Sequence, residues 1–187
     1  MLIIAITGMP GAGKSTAAKA LEAQGFKRIV MGDVIREETR KRGLEPDQTN
    51  TGKVMMELRE KYGQGAVAEV CVQLLASIKD EVVVVDGIRS MAEVDVFGRA
   101  GRVLLLAIHA SRGRRFALLT ERGRSDAPES RARFDERDSR ELAIGVGNAI
   151  ALSDETVSNE RTTPDNLGKR VVERATSWVN SIGRSPT

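Results

Sequence analysis

The chain has 187 residues, which is enough for one domain with a sizeable apolar core and too few for two. Hydrophobic residues make up 41% of it and charged residues 29%, as in ordinary globular proteins. Aromatic residues make up only 3%, which argues against a base-stacking surface for nucleic acids, and the net charge of +3 is a weak signal by itself.

Apolar runs and helical periodicities alternate along the chain. Three continuous apolar runs predict strands that are buried on both faces of a parallel sheet. Strands that alternate with helices predict a single α/β domain whose ligand lies beyond the carboxyl ends of the strands. In chain order the predicted elements are strand Leu2–Ile6, helix Lys14–Gln24, strand Lys27–Met31, helices Asp33–Arg42, Val54–Tyr62 and Ala66–Ile78, strand Val82–Val85, helix Ser90–Arg99, strand Val103–Ile108, helices Arg112–Arg122 and Glu129–Leu142, strand Glu155–Asn159, and a last helix that starts at Pro164.

Residues typical of helix ends mark two of these helices. Asp33 is a possible N-cap of the second helix and Gly43 a possible stop. Thr163 followed by Pro164 is typical of a helix start. The apolar residues of the last helix recur with the spacing of one helical face, so we expect them in the core: Leu167, Val171, Ala175, Trp178 and Ile182.

Single residues and missing segments exclude several kinds of chemistry. Cys71 is the only cysteine, which rules out an intrachain disulfide and a zinc site of several cysteines. His109 is the only histidine and ends an apolar run, so we expect a structural role for it and no Ser-His-Asp triad. We find neither a signal peptide nor the ~18 apolar residues of a membrane span, so we expect a cytoplasmic protein with no membrane partner.

A glycine-rich segment directly follows the first predicted strand and opens the first helix. It fits the pattern G-x-x-x-x-G-K-[ST], in which backbone N–H groups and the helix N-terminus surround a phosphate chain. Lys14 is expected to reach the β- and γ-phosphates, Ser15 to coordinate Mg²⁺, and Thr16 to add a contact to an inner phosphate. The predicted triphosphate-binding residues are Gly8, Met9, Pro10, Gly11, Ala12, Gly13, Lys14, Ser15 and Thr16.

Charged residues follow two further strands at their carboxyl ends. Asp86 comes after four valines, where a P-loop protein places the acid that orients Mg²⁺ or its waters. Arg89 follows it, and Asp33 and Arg36 follow the second strand, so we expect the two arginines to face an anionic acceptor. A helix cap and a surface charge are the alternatives for Asp33 and Arg36. Asn148 and Asn159 are candidates to contact a base, although capping and turns explain them equally well.

The segment between Arg112 and Arg140 contains nine arginines, no lysine and six acidic residues. A local arginine cluster suits phosphate recognition, and a solvated helix with internal ion pairs is the alternative. Gly123 and Pro128 predict a hinge and a break within it. Arginines on a closing lid would neutralise transferred charge and exclude water, and the candidates are Arg122, Arg124, Arg133 and Arg137.

These motifs resemble the nucleoside monophosphate kinases, because the phosphate loop, Gly32-Asp33-x-x-Arg36 and Asp86-Gly87-x-Arg89 occur in the adenylate kinase order. Nearly the whole chain is similar to a family of archaeal adenylate-kinase-related proteins, which shares these segments as well as Glu136-Arg137-Asp138 and Ile144-Gly145-Val146-Gly147-Asn148. The resemblance implies a three-layer P-loop NTPase fold with a five-stranded parallel sheet in the order 2-3-1-4-5. It also implies an acceptor-binding insertion at residues 33–77 and a lid at residues 112–142.

The expected reaction is transfer of the ATP γ-phosphoryl group to a small acceptor with Mg²⁺. The expected catalytic residues are Lys14, Asp33, Asp86, Arg124 and Arg137. A nucleoside monophosphate such as AMP needs no base, because its phosphate is already ionised. A hydroxyl acceptor, as in dephospho-CoA kinase, would benefit from Asp33 as a base. A nucleotide-dependent switch or NTPase without a small acceptor is a further alternative, and no nucleic-acid partner is expected.

Overall fold

The computed structural model describes residues 1–122, 128 and 130–182. Five parallel strands form one sheet in the order β2-β3-β1-β4-β5. The strands are β1 (Leu2–Thr7), β2 (Lys27–Val30), β3 (Val82–Ile88), β4 (Arg102–His109) and β5 (Glu155–Ser158). The predicted fold class and strand order are therefore confirmed.

Helices cover both faces of this sheet. In chain order they are α1 (Lys14–Glu22), α2 (Met31–Lys41), α3 (Gln48–Tyr62), α4 (Ala66–Leu75), α5 (Met91–Ala100), α6 (Arg112–Glu121), α7 (Arg131–Ile144), α8 (Val146–Ala151) and α9 (Pro164–Ile182). The Thr163 hydroxyl accepts a hydrogen bond from the N–H of Asn166 at 3.3 Å, which confirms the predicted start of α9. The three layers of the fold are the sheet and the helices on each of its two faces.

Alternate residues of the central strands point into two apolar layers. Ile4 and Ile6 of β1 pack with α1 and α9, where Leu21 and Val171 are fully buried. Ile3 and Ala5 of the same strand pack with side chains of α2 to α5 and α8 on the opposite face. Because both faces of β1 are buried, the strand reads as a continuous apolar run. The carboxyl end of β1, which leads into the glycine-rich loop, is thereby held from both sides.

An irregularity in the pairing of β1 with β3 sets the direction of the chain after Asp86. Ile6 lies opposite Asp86, but the next residue, Thr7, lies opposite Ile88, so Gly87 is the extra residue. Gly87 has a φ of 115°, a left-handed conformation that favours glycine. The Thr7 hydroxyl donates a hydrogen bond to the Ile88 carbonyl at 2.9 Å and closes the two strands after the bulge.

The structure corrects several helix boundaries. The N-cap of α2 is Val30, so Asp33 lies inside the first turn and the predicted cap is wrong. The helix starts earlier because Met31 is buried and anchors its first turn in the core. Helix α3 starts at Gln48 instead of Val54, because Asp47 caps it by accepting a hydrogen bond from the Asn50 N–H at 2.7 Å. The short helix α8 was not predicted.

Two residues that were singled out in the sequence occupy ordinary structural positions. Cys71 is buried in α4, and burial raises the pKa of its thiol to about 12. His109 ends β4 as expected, but its side chain is exposed. Among the helices of the described residues, none combines the length and the apolar character that crossing a membrane requires.

Candidate nucleotide-binding site

Residues 8–13 form the loop that joins β1 to α1 at the carboxyl edge of the sheet. Gly8, Gly11 and Gly13 have φ values of 145°, 80° and 106°, which turn the backbone as a phosphate loop requires. A Cβ atom at Gly8 would lie 2.3 Å from the carbonyl oxygen of Ile108, so the loop packs directly against β4. No side chain caps α1, and its first N–H groups point toward the loop, where phosphate oxygens bind in such sites.

Lys14 begins α1 and folds back over the loop. Its ammonium group donates hydrogen bonds to the carbonyls of Gly8 at 2.7 Å and Met9 at 3.1 Å. Ser15 and Thr16 are the next residues of the helix, and the Thr16 N–H donates to the Gly13 carbonyl at 3.0 Å. The residues predicted to bind the triphosphate therefore lie in one continuous loop and the first helical turn. This backbone cradle fits a chain of phosphates.

The charges around Lys14 identify which other side chains share its site. Burial lowers the pKa of Lys14 to about 8, and the carboxylates of Glu141 and Asp86 oppose this shift. The guanidinium groups of Arg89 and Arg137 lower the pKa further. Residues from the phosphate loop, the end of β3 and helix α7 thus lie close enough to act on one ammonium group.

Two buried polar side chains support the phosphate loop by donating hydrogen bonds to its backbone carbonyls. Arg115 of α6 donates a hydrogen bond to the Pro10 carbonyl at 3.0 Å and binds both carboxylate oxygens of Asp138 at 2.8 and 2.6 Å. Asn159, just after β5, donates to the Ala12 carbonyl at 2.9 Å. Asn159 is therefore a support of the loop, and a contact with a base stays a prediction.

Asp86 lies at the end of β3 as predicted, but it has an unexpected partner. The Asp86 carboxylate accepts a hydrogen bond from Arg28 of β2 at 2.6 Å, and both side chains are largely buried. The described residues contain no group of three or more His, Cys, Asp or Glu that would hold a metal by itself. In nucleotide sites Mg²⁺ takes most of its ligands from phosphates and water, and Ser15 and Asp86 stay the predicted protein ligands.

Asp33 and Arg36 lie together on the first turns of α2, on the exposed surface. Their side chains are 64% and 44% exposed, and they form an ion pair with each other. The structure therefore brings these two residues together at the start of α2, and their roles toward an acceptor stay predictions.

Arg89 is held by two acidic residues from different helices. Its N–H donates a hydrogen bond to the Glu93 carboxylate at 2.7 Å, and its Nε lies 3.3 Å from a carboxylate oxygen of Glu141. Glu93 is fully buried in α5 and is also paired with Arg59 of α3 at 2.5 Å. Burial raises the pKa of Glu93, while Arg59 and the Arg89 N–H oppose this shift. Arg89 therefore has a fixed backbone and a side chain that faces α7.

A model of the AAA domain family matches residues 7–133 of the chain, which include the phosphate loop and the motifs at the ends of β2 and β3. A UPF0200 protein from Thermococcus onnurineus is 44% identical over 164 residues, which cover 85% of this chain and 89% of the relative. A UPF0200 protein from Methanocaldococcus jannaschii is 45% identical over 171 residues and covers 90% and 87%. The chain belongs to the UPF0200 family.

Solved structures share the fold of this UPF0200 chain at low sequence identity. A protein from Thermus thermophilus has a TM-score of 0.70 at 17% identity and covers 95% of this chain and 97% of its own. A shikimate kinase from Bacteroides thetaiotaomicron has a TM-score of 0.64 at 15% identity, with coverage of 94% and 98%. A shikimate kinase from Acinetobacter baumannii in complex with shikimate has a TM-score of 0.59 at 17% identity, with coverage of 94% and 93%. The fold is that of the P-loop kinases, and a specific kinship with adenylate kinases stays a prediction.

The predicted lid arginines of the UPF0200 chain fall into different environments. Arg137 lies on the face of α7 that acts on Lys14. Arg133 is exposed one turn earlier and pairs with Glu136 at 2.8 Å, and Arg122 is exposed at the end of α6. Arg124 lies outside the described residues. Among the described candidates, Arg137 has a charge that affects Lys14.

Sequence reasoning missed four residues that build the site: Arg28, Arg115, Asp138 and Glu141. The spacing of α7 contained a signal for two of them, because Phe134, Asp138 and Glu141 recur at the intervals of one helical face. The pattern was not recognised because two of these three residues are charged, whereas core positions were predicted from apolar residues alone.

Proposed function

We propose that this protein is an ATP-dependent phosphotransferase that moves the γ-phosphoryl group of ATP to a small-molecule acceptor. The observation that supports this proposal is the group of charges around Lys14. An acid and an arginine from the end of β3 and an arginine from α7 all act on this residue of the phosphate loop. A protein that only binds a nucleotide needs the loop, whereas phosphoryl transfer also needs groups that neutralise charge on both sides of the transferred phosphate.

The chain's own residues take separate parts in this reaction. The N–H groups of the loop and of α1 bind the phosphates of ATP, and Lys14 stabilises negative charge on the transferred group. Arg137 adds a second positive charge from α7, and Asp86 and Ser15 would hold Mg²⁺. Mg²⁺ would supply further positive charge to the phosphate chain when bound. Arg124 is proposed to join Arg137 when the lid covers the site and excludes water.

A nucleoside monophosphate, with AMP as the first example, is the proposed acceptor. Arg89 lies at the end of β3 beside Lys14, and guanidinium groups bind phosphate oxygens in a bidentate fashion. Arg36 would contribute from α2, with Asp33 holding its guanidinium in place through their ion pair. An ionised phosphate attacks without a base, so the exposed position of Asp33 fits this acceptor.

A hydroxyl acceptor is the second candidate, and one observation favours it. Glu141 places a buried carboxylate beside both Arg89 and Lys14, where it could accept the proton of an attacking hydroxyl. Two of the similar folds are shikimate kinases by name. The exposed position of Asp33 makes Glu141 the better base for this alternative.

The test is an assay of ADP formation from ATP and Mg²⁺ across a panel of acceptors. The panel contains AMP, CMP, GMP, UMP, dephospho-CoA and shikimate, with buffer alone as the blank. We expect ADP formation above the blank with at least one monophosphate. A rate that every acceptor leaves unchanged would reject the kinase and favour a nucleotide-dependent switch. Stimulation by dephospho-CoA or shikimate alone would reject the monophosphate and support the hydroxyl acceptor.

A further inference from the structure

Helix α7 brings a buried carboxylate into the acceptor side of the site. The Glu141 side chain is only 7% exposed, and its oxygen lies 3.3 Å from Arg89 Nε. Among the neighbouring charges, Glu141 has the largest effect on the pKa of Lys14. Glu141 therefore pairs with Arg89 and also acts on Lys14, two cations that a kinase would use for phosphates.

The backbone of Arg89 does not depend on Glu141. Glu93 accepts a hydrogen bond from the Arg89 N–H and is itself anchored to the buried Arg59. The Arg89 side chain is 33% exposed, while its Nε faces Glu141 and its Nη1 contacts the sulfur of Met55. A ligand can therefore exchange with Glu141 on the side chain without displacing the end of β3.

We propose that Glu141 sets the selectivity of the acceptor site by competing with the acceptor's phosphate for Arg89. This inference rests on the proposed monophosphate kinase activity. A carboxylate and a phosphate dianion on one partly buried guanidinium repel each other, so the phosphate must displace Glu141 to bind. A dianion with bidentate geometry achieves this exchange, whereas a singly charged carboxylate gains no advantage over Glu141. The substrate class is thus a doubly ionised phosphate monoester.

The displaced carboxylate has another cation within reach. Arg137 lies four residues before Glu141 on α7, and side chains at this spacing are neighbours on a helix. Binding of the acceptor would then move Glu141 from Arg89 toward Arg137 and Lys14. While no phosphate monoester is bound, the ion pair with Glu141 balances the positive charge of Arg89.

The test compares Glu141→Gln with the wild type in the ADP-forming assay, with AMP, CMP, GMP and UMP as the acceptor probes. The amide keeps the shape of the side chain and removes the competing charge. We expect the KM of the acceptor that the wild type uses to fall about tenfold, with kcat and the KM of ATP changed less than about threefold. Glu136→Gln is the matched control, because Glu136 lies on the same helix with a side chain that is 61% exposed. It should leave both KM values unchanged.

Other outcomes overturn the inference. A fall of kcat of about 100-fold with an unchanged acceptor KM would make Glu141 a general base, and unchanged constants would show that it does not compete. If the wild type phosphorylates no monophosphate, the proposed function fails first, so the two failures are distinguishable. Glu141→Asp guards against misfolding of the amide variant. It retains the charge, and it should therefore keep the wild-type KM within about threefold if charge competition sets that constant.

Discussion

The donor and acceptor sides of the site are built in different ways. On the donor side, buried side chains of Arg115 and Asn159 hold backbone carbonyls of the phosphate loop, so its conformation is fixed by folding. On the acceptor side, Arg36 and Arg89 are partly exposed and each is paired with an acid. The loop is therefore preformed, and we propose that it binds the phosphate chain of the donor. In the same proposal, an acceptor binds the two arginines only when these ion pairs open.

The largest effect is expected on the donor side, at Lys14. Lys14→Ala should lower triphosphate turnover by about 100-fold or more, because it removes the charge that stabilises the transferred group. Steady-state assays with saturating ATP measure the loss. Lys19→Ala is the control, since Lys19 is exposed on the same helix and should keep the wild-type rate. Undiminished turnover in the Lys14 variant would contradict the assignment of the phosphate loop.

The buried ion pair that supports the phosphate loop can be tested against a closely matched exposed pair. Arg115–Asp138 and Arg112–Asp135 both join α6 to α7, but the first pair is buried and the second is exposed. Asp138→Asn should lower the free energy of unfolding by about 3 kcal/mol, because it leaves Arg115 buried without its counter-charge. Asp135→Asn should change the free energy of unfolding by less than about 1 kcal/mol. Urea unfolding at equilibrium measures both, and equal effects would contradict the distinction.

The pH dependence of ATP binding tests the lowered pKa of Lys14. The protonated ammonium binds phosphate, so affinity should be nearly constant well below the pKa of about 8 and fall as the free protein loses this proton around and above it. With one proton involved, the Kd of ATP should rise about tenfold by pH 9. Lys14→Arg is the control, because its guanidinium stays charged and should remove this dependence. Calorimetric titrations at pH 7, 8 and 9 with Mg²⁺ check the prediction.

The smallest expected effect lies on the acceptor side. Asp33→Asn removes the charge that pairs with Arg36, and both side chains are well exposed. We expect the acceptor KM to change by no more than about fivefold and the free energy of unfolding by less than about 0.5 kcal/mol. A loss of kcat of about 100-fold would instead give Asp33 the role of a base and favour a hydroxyl acceptor.

The sequence predicted the parts of this molecule that depend on local pattern. The sheet followed from apolar runs that continue through both faces, and the phosphate loop from glycines and a lysine at fixed spacing. The order of the strands came from the resemblance to kinases, since periodicity does not determine which strands are neighbours. The first turn of α2 was misplaced because Asp33 resembles a cap, while burial of Met31 decides where the helix begins.

The site residues that the sequence did not predict were missed for one physical reason. Arg28, Arg115 and Glu141 act through partners that are distant in the sequence, such as Asp86, which lies 58 residues after Arg28. A charged residue that is paired in the core looks the same in a sequence as one on the surface. Only the folded topology distinguishes them, because it brings β2 beside β3 and brings Glu141 of α7 close enough to act on Lys14.

Transfer of labelled phosphate tests the central claim most directly. The protein would be incubated with Mg²⁺, ATP that carries a label in its γ-phosphoryl group, and each acceptor in turn, and the labelled products separated. We predict label in a nucleoside diphosphate formed from one of the monophosphates, with little released as inorganic phosphate. Label that appears only as inorganic phosphate, whichever acceptor is present, would contradict the proposal that this protein is a small-molecule kinase.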